Sequence, residues 1–322
     1  MGGPSPDIPI LVIFGPTASG KTALAEQLFA AGGSSSLAGK TEIISADSMQ
    51  VYTGLNIGTA KPEQALLSAL PHHLINVYPP HRQFSAGDFV RLADRAVQDI
   101  AGQGKIPVIM GGTAFYIRNF LYGLPATPDS DEAVRQNLRL RMDREGPEKL
   151  WAFLNGLDPV SAGRIHINDE YRILRALEVY TASNRPLSSF RMPDTLRKGY
   201  RFYLMGIELP REELYGRINR RVTGRFEQGL VEEFFGLLDS GYTAEDPGMQ
   251  AIGYREFFMV DPEPRRETID TEAVGDMIRR DTRRYAKRQF TFFRGIPGVR
   301  WINAEDTRSA RDHAELFYSG NF

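Results

Sequence analysis

The sequence predicts an α/β fold, a doubly wound parallel sheet carrying an inserted all-helical domain, on three observations. "DIPILVIFGPTASGKTALAEQLF" (7–29) runs from an apolar strand through a glycine-bounded loop into a helix. Strand-like and helix-like stretches then alternate as far as about residue 126, the pattern that parallel βαβ units leave in a sequence. From 127 to 199 strand character is lost, and it returns at "YRFYLMGIEL" (200–209).

Taken in order, "PILVIF" (9–14) is a short β-branched run expected to be a buried parallel strand. Residues 22–31 have helical spacing, with Leu24 and Leu28 on one face, and "GGSSSLAGK" (32–40) reads as a loop. "TEIISA" (41–46) predicts a second strand ending at Asp47. "FSAGDFVRLADRAVQDIAGQGK" (84–105) predicts a helix whose apolar face holds Phe89, Leu92, Ala96 and Ile100. "IPVIMGGT" (106–113) is a third strand entering a glycine turn, continued by a helix through "AFYIRNFLYGL". Residues 127–199 then read as a helical insertion, so that 1–126 and 200–322 form one α/β core. The last third reads as helical over 211–240 and 265–294.

Composition narrows the classes. A chain of 322 residues with 42% hydrophobic and 25% charged residues is ordinary for a globular protein of one large or two smaller domains. It has no apolar run long enough to span a bilayer, and "MGGPSPD" lacks the basic start and apolar core of a signal peptide. Zero cysteines exclude disulfides, thiolate zinc sites and cysteine nucleophiles within the chain. A cytoplasmic protein with no membrane partner is expected. The five histidines (72, 73, 81, 166 and 313) show no metal-binding spacing, and His72 and His73 read as structural or rim residues.

Chemistry concentrates in a few stretches. Gly15, Pro16, Thr17, Ala18, Ser19, Gly20, Lys21 and Thr22 match G-x-x-x-x-G-K-[ST] between a strand and a helix. Backbone N–H groups and the helix N-terminus in that setting cradle phosphate oxygens, Lys21 neutralises charge, and the Thr22 hydroxyl can ligate Mg²⁺. The fold is therefore P-loop-type; the bland reading is a glycine-rich turn that only resembles the motif. Asp47 sits where strand 2 ends, at the edge of a parallel sheet where ligands bind. It is equally readable as a turn carboxylate, or as a general base or metal ligand. Strand 3 ends "VIMGGT" without the carboxylate that a hydrolytic P-loop enzyme uses to hold Mg²⁺, which disfavours ATP hydrolysis.

"MIRRDTRRYAKRQFTFFRG" (277–295) sets Arg279, Arg280, Arg283, Arg284, Lys287, Arg288 and Arg294 against the one acid Asp281. Tyr285, Phe290, Phe292 and Phe293 are interleaved, a pattern that suits phosphate neutralisation with base stacking. The alternative is a solvated helix face whose aromatics belong to the core. Arg217 and Arg221 lie one turn apart and are either surface charge or phosphate-reaching groups.

The blocks "GPTASGKT", "ISADSMQVYTGLNIGTAKP", "HHLINV", "FSAGDF", "GGTAFYIRNFLYG", "RALEVY", "GIELPREELYGRINRRV", "QAIGYREF" and "RYAKRQFTFFR" run in order from about residue 9 to 294. Together they resemble the bacterial tRNA dimethylallyltransferase (tRNA isopentenyltransferase) family. The resemblance implies transfer of a dimethylallyl group from dimethylallyl diphosphate to the exocyclic N6 amine of the adenosine 3′ of the tRNA anticodon. Target tRNAs would be those reading codons that begin with U. The phosphate loop would then hold the diphosphate of an isoprenoid donor, with Mg²⁺ as cofactor, and no phosphoryl group would move.

The same resemblance makes Asp47 the general base and puts Lys21, Thr22 and Arg221 at the leaving pyrophosphate, with Arg217 a less certain neighbour. Thr113 matches a position at the target nucleotide. tRNA contacts carry over to Asp47, Ser48, Met49, Gln50, Arg135, Arg172, Arg175, Gln250, Gly253, Arg255, Lys287, Arg288, Gln289 and Arg294. The insertion 127–199 would grip the anticodon stem–loop. "INDEYRILRALEV" departs from the family pattern at Glu170 and Tyr171, and "GGSSSLAGK" is a longer loop. A monomer is expected. The rivals are an enzyme that prenylates free adenine nucleotides, a P-loop nucleotide kinase, and an RNA-binding protein with a vestigial phosphate loop.

Overall fold

The computed structural model describes residues 7–128 and 131–320. These divide into two compact units, Met1–Leu121 with Arg197–Phe322 and, between them in sequence, Tyr122–Leu196. The second unit begins a few residues before the position at which the sequence pattern changes.

The first unit begins with β1 (Ile8–Phe14), α1 (Lys21–Phe29), β2 (Thr41–Ala46), α2 (Gln64–Ala69), β3 (His72–His73), α3 (Ala86–Gly102), β4 (Ile106–Gly111) and α4 (Ala114–Tyr122). The second unit contains α5 (Glu132–Glu145), α6 (Pro147–Leu157), α7 (Pro159–Ala162) and α8 (Glu170–Ser183). The chain then returns through β5 (Tyr200–Glu208), α9 (Arg211–Glu227), α10 (Leu230–Asp239), α11 (Arg255–Val260), α12 (Thr271–Phe293), β6 (Arg300–Asn303) and α13 (Thr307–Tyr318).

All pairings in the six-stranded sheet are parallel, in the order β3-β2-β4-β1-β5-β6. Every residue of β2 and the last five of β1 are buried; β1 accordingly reads as an unbroken apolar run, whereas β2 buries Thr41, Glu42 and Ser45 among its apolar residues. Leu24, Leu28 and Phe29 of α1 and Ala310, Ala314 and Phe317 of α13 share one core with Leu11, Ile13 and Val108 of the sheet. Ser85 and Asp88 form a reciprocal capping box that starts α3.

Some elements had too little local signal to be predicted. β3 is two residues long, and β6 is four residues with two exposed positions, so neither carries a hydrophobic period. The 211–240 stretch is two helices, because Gly229 turns left-handed at φ +95° between α9 and α10. The second unit is all helical among its described residues, around Met142, Leu150, Leu154, Ile173 and Leu177.

Because β1, β2 and β4 are adjacent and parallel, their C-terminal ends lie along one edge of the sheet. That edge brings together the loop after Phe14, Asp47 after β2, and the Gly112–Thr113 turn after β4. Parallel α/β sheets bind ligands there.

Candidate active site

The phosphate loop is held open by backbone geometry. Gly20 takes φ +95° immediately before α1, and Ala18 is also left-handed at φ +63°. Gly15 has no room for a side chain, since a Cβ there would stand 2.5 Å from the Ile207 carbonyl oxygen. α1 has no side-chain N-cap, so its first-turn amides are left for a ligand. The Lys21 ammonium donates to the carbonyls of Gly15 (3.0 Å) and Pro16 (2.8 Å). Burial and the neighbouring Arg221 cation pull its pKa down to about 7, against a raising influence from Asp47.

These groups line a cleft of about 680 Å³. Its walls include Thr17, Gly20, Lys21, Thr22, Asp47, Gln50, Lys61, Arg221 and Tyr285. Arg221 and Arg217, alike in sequence, differ here. The Arg217 guanidinium is paired with Glu213 (2.6 Å) and Glu305 (2.7 Å). Arg221 donates to the Thr17 hydroxyl at 3.3 Å and has no carboxylate partner among the described residues, so its charge faces the cleft. Burial lowers its pKa from the usual arginine value, opposed by Asp47.

Asp47 takes the turn role in the structure and leaves one oxygen toward the cleft. Oδ1 accepts from the Met49 (2.9 Å) and Gln50 (3.2 Å) amides and so shapes the turn after β2. Oδ2 has no hydrogen bond to a described residue. Asp47 also lines a second chamber of about 250 Å³, together with Ser48, Met49, Gln250, Arg255, Tyr285 and Arg288. Thr113 Oγ1 accepts from the Ser48 amide (2.9 Å), tying the turn after β4 to the turn after β2.

Several expected RNA contacts have structural work inside the protein. Gln289 is buried, accepting from the Thr17 amide (2.9 Å) and donating to the Gly112 carbonyl (2.7 Å), so it braces the phosphate loop against the β4 turn. Gln50 donates to the Ala60 carbonyl at 3.2 Å. Gly253, at φ +112°, packs against the Gly58 backbone. Arg255 is bound by Glu256 and Asp281, each at 3.1 Å. Arg284, Lys287 and Arg288 on α12 and Arg294 at its C-terminal end are all exposed cations. The aromatic half of that expectation changes: Phe293 is buried and stacks on Phe14 at 4.7 Å, and Phe290 packs on Trp301 at 5.6 Å. Phe292 stays exposed. An amphipathic helix packed on the sheet has to place its aromatics inward.

In the second unit Arg135 and Arg175 converge on the buried Glu178, at 2.8 Å and 3.2 Å, whereas Arg172 is exposed. Lys61 and Tyr285 also line the cleft, and no local signal marks them as site residues: the block "IGTAKP" does not show that its lysine turns into the cleft. The Lys61 pKa is drawn down to about 8 by burial, against Glu233 and Asp47. The Tyr285 hydroxyl is pushed up to about 12 by burial and by the Asp47 charge.

The sequence model of the IPP transferase family matches residues 50–296. The tRNA dimethylallyltransferase of Geobacter sulfurreducens is 40% identical over 294 residues, covering 91% of this chain and 91% of that protein. tRNA dimethylallyltransferase 1 of Syntrophotalea carbinolica is 44% identical over 299 residues, 92% of this chain and 91% of that protein. The crystal structure of the full-length tRNA isopentenylpyrophosphate transferase of Bacillus halodurans matches with a TM-score of 0.64 at 34% identity, over 97% of this chain and 95% of that one. A eukaryotic dimethylallyltransferase acting on tRNA has the same fold, with a TM-score of 0.77 at 24% identity, over 97% and 80% of the two chains. With a phosphate loop, a carboxylate and a second chamber meeting at one sheet edge, and with matches spanning nearly its whole length, this chain belongs to the IPP transferase family.

Proposed function

We propose that the chain is a tRNA dimethylallyltransferase, which prenylates N6 of the adenosine 3′-adjacent to the anticodon in tRNAs reading codons that begin with U. The observation that carries the reading is the position of Asp47. It lines both the phosphate-loop cleft and the second chamber, so a carboxylate stands where donor and acceptor would meet.

In this mechanism dimethylallyl diphosphate lies in the larger cleft with its phosphates on the amides of residues 15–22. The target adenosine leaves its stack and enters the smaller chamber, because its amine is not reachable inside a folded anticodon loop. N6 attacks C1 of the dimethylallyl group. The C1–O bond breaks, its electron pair departs with pyrophosphate, and Asp47 takes the proton that N6 loses. Lys21, Arg221 and the loop amides stabilise the negative charge that grows on the leaving group. The Thr22 hydroxyl lines the cleft and suits a hard cation that keeps most of its ligands as water and substrate phosphate. Mg²⁺ held there would add neutralising charge at the diphosphate.

We assign RNA backbone contacts to Arg284, Lys287, Arg288 and Arg294, and the grip on the anticodon stem–loop to the unit Tyr122–Leu196 with Arg172 as a contact. Arg135 and Arg175 support that surface through Glu178. The reading includes a monomer working in the cytoplasm; no described helix is long and apolar enough to cross a membrane.

The test is transfer of label from dimethylallyl diphosphate to unmodified tRNA with adenosine beside its anticodon, with AMP assayed in parallel. Label in tRNA alone is expected. Label in AMP alone would make the enzyme a nucleotide prenyltransferase, and label in neither would end the reading. Asp47→Ala should lower the transfer rate roughly 10²–10⁴-fold while tRNA affinity stays within about threefold. Transfer by that variant at the parent rate would remove Asp47 from the mechanism.

A further inference from the structure

α9 carries two arginines one turn apart, Arg221 and Arg225, and only the first is accounted for by the diphosphate. Arg225 is 7% exposed and makes no hydrogen bond or ion pair to any described residue, and its Nε is buried without a partner. An arginine so enclosed is ordinarily held by a carboxylate or by carbonyls, because a desolvated, unpaired cation is costly. Burial and Arg221 together lower its pKa to about 9, against raising influences from Tyr254, Asp47 and Glu256, none of which hydrogen-bonds to it. Natural proteins keep such a group where a ligand completes it.

The surroundings say which ligand. Arg225 lines the chamber that Asp47, Met49 and Tyr285 also line, together with Thr282, whose hydroxyl is likewise buried and unpartnered. Asp47 is the acceptor in this chamber for the N6 proton. The guanidinium offers donors alone, so it needs an acceptor on the substrate. On adenine the acceptors beside N6 are the ring nitrogens N1 and N7. The RNA phosphates have cations of their own at the chamber's rim, in Arg288 and the exposed face of α12.

Resting on the tRNA reading above, we propose that Arg225 reads the target base, donating a charge-assisted hydrogen bond to N1 or N7 of the flipped adenine and so presenting N6 to Asp47. It is a specificity and positioning residue of the acceptor side, distinct from the cations that hold the donor.

The experiment pairs substrate and protein changes. Anticodon stem–loop RNAs are made with adenosine, 1-deazaadenosine or 7-deazaadenosine at the target position, and kcat/KM is measured for the parent enzyme, Arg225→Met and Arg225→Lys. With the parent enzyme one of the two deaza substitutions should cost about tenfold or more, the scale of one charge-assisted hydrogen bond. Arg225→Met should lose about as much with normal RNA, lose little further with that same deaza RNA, and keep its KM for dimethylallyl diphosphate. Arg225→Lys should recover part of the loss. Equal activity of the parent enzyme on all three RNAs would overturn the proposal without any reference to how the variants fold. A loss in Arg225→Met seen mainly as a raised donor KM would overturn it too, placing Arg225 on the diphosphate through the adjoining cavity that it shares with Lys61 and Arg221. Failure of the parent enzyme on normal RNA would instead count against the tRNA reading itself.

Discussion

Lys21 shows how far one side chain departs from what its motif suggests. As a motif residue it is simply a cation, yet burial beside Arg221 leaves it close to half-protonated at neutral pH before any phosphate arrives. A bound diphosphate favours the charged form, so binding should take up a proton. With the free-enzyme pKa lowered to about 7, the charged lysine is present below that pH and lost above it. Donor affinity, measured by calorimetry without divalent metal or tRNA, should therefore fall as pH rises from 6 to 8.5. Lys21→Met should bind more weakly at pH 6 and lose most of that pH dependence. An affinity for the parent enzyme that is flat across the range would refute the assignment. Asp47 teaches a second lesson at this scale: forming the turn occupies only Oδ1, so that role does not compete with the proposed one as base.

At the scale of elements, the segment 56–61 has no regular structure and yet lines the cleft. Glu233 of α10 holds it, accepting from the amides of Asn56 (2.9 Å), Ile57 (2.9 Å) and Gly58 (3.1 Å) and from the Tyr254 hydroxyl (2.6 Å). Gly58 cannot carry a side chain, because a Cβ would stand 2.4 Å from the Tyr254 ring. Glu233→Ala leaves the Asn56 and Ile57 amides and the Tyr254 hydroxyl without this acceptor, while Gly58 keeps its bond to the Tyr254 oxygen, and should destabilise the fold by about 2 kcal/mol. Thr59 and Lys61 of that segment line the cleft, so transfer should fall as well. Thermal melting and a transfer assay at 20 °C check this; an unchanged Tm would show that water replaces the carboxylate. The same scale explains the aromatics of α12. Its sequence mixes charge and aromatic residues without showing which lie on the sheet side. Only packing placed Phe293 on Phe14, and Gln289 under the phosphate loop.

For the whole molecule, a formal net charge of -1 conceals a cationic face on α12. Arg284 is within 3.8 Å of Asp281 but largely exposed, and Arg288 has no carboxylate partner among the described residues. Changing both to Glu should weaken tRNA binding at least tenfold and reduce the slope of log affinity against log salt by about 2, since each phosphate contact contributes near 1. Donor binding should not move, because neither residue lines the phosphate-loop cleft. Filter binding across a salt series decides it: an affinity that ignores both charges would move the RNA to another surface.

The sequence by itself determined the α/β class, the phosphate loop, the strand positions of the central sheet and Asp47 as the carboxylate to watch. Each is a local pattern: an apolar run, a glycine spacing, a residue just after a strand. It also carried the family likeness, whose blocks the whole-length matches bear out. What only the tertiary structure decided depends on residues far apart in the chain. That Arg217 is held by Glu305 as well as by its helix neighbour Glu213 depends on a residue 88 positions further along the chain. That Gln289 braces Thr17 spans 272 residues. Arg225 reads locally as one more base on a helix, and its isolation appears only once every neighbour is in place. A side chain's charge is written in the sequence, but whether another group answers that charge is settled by packing.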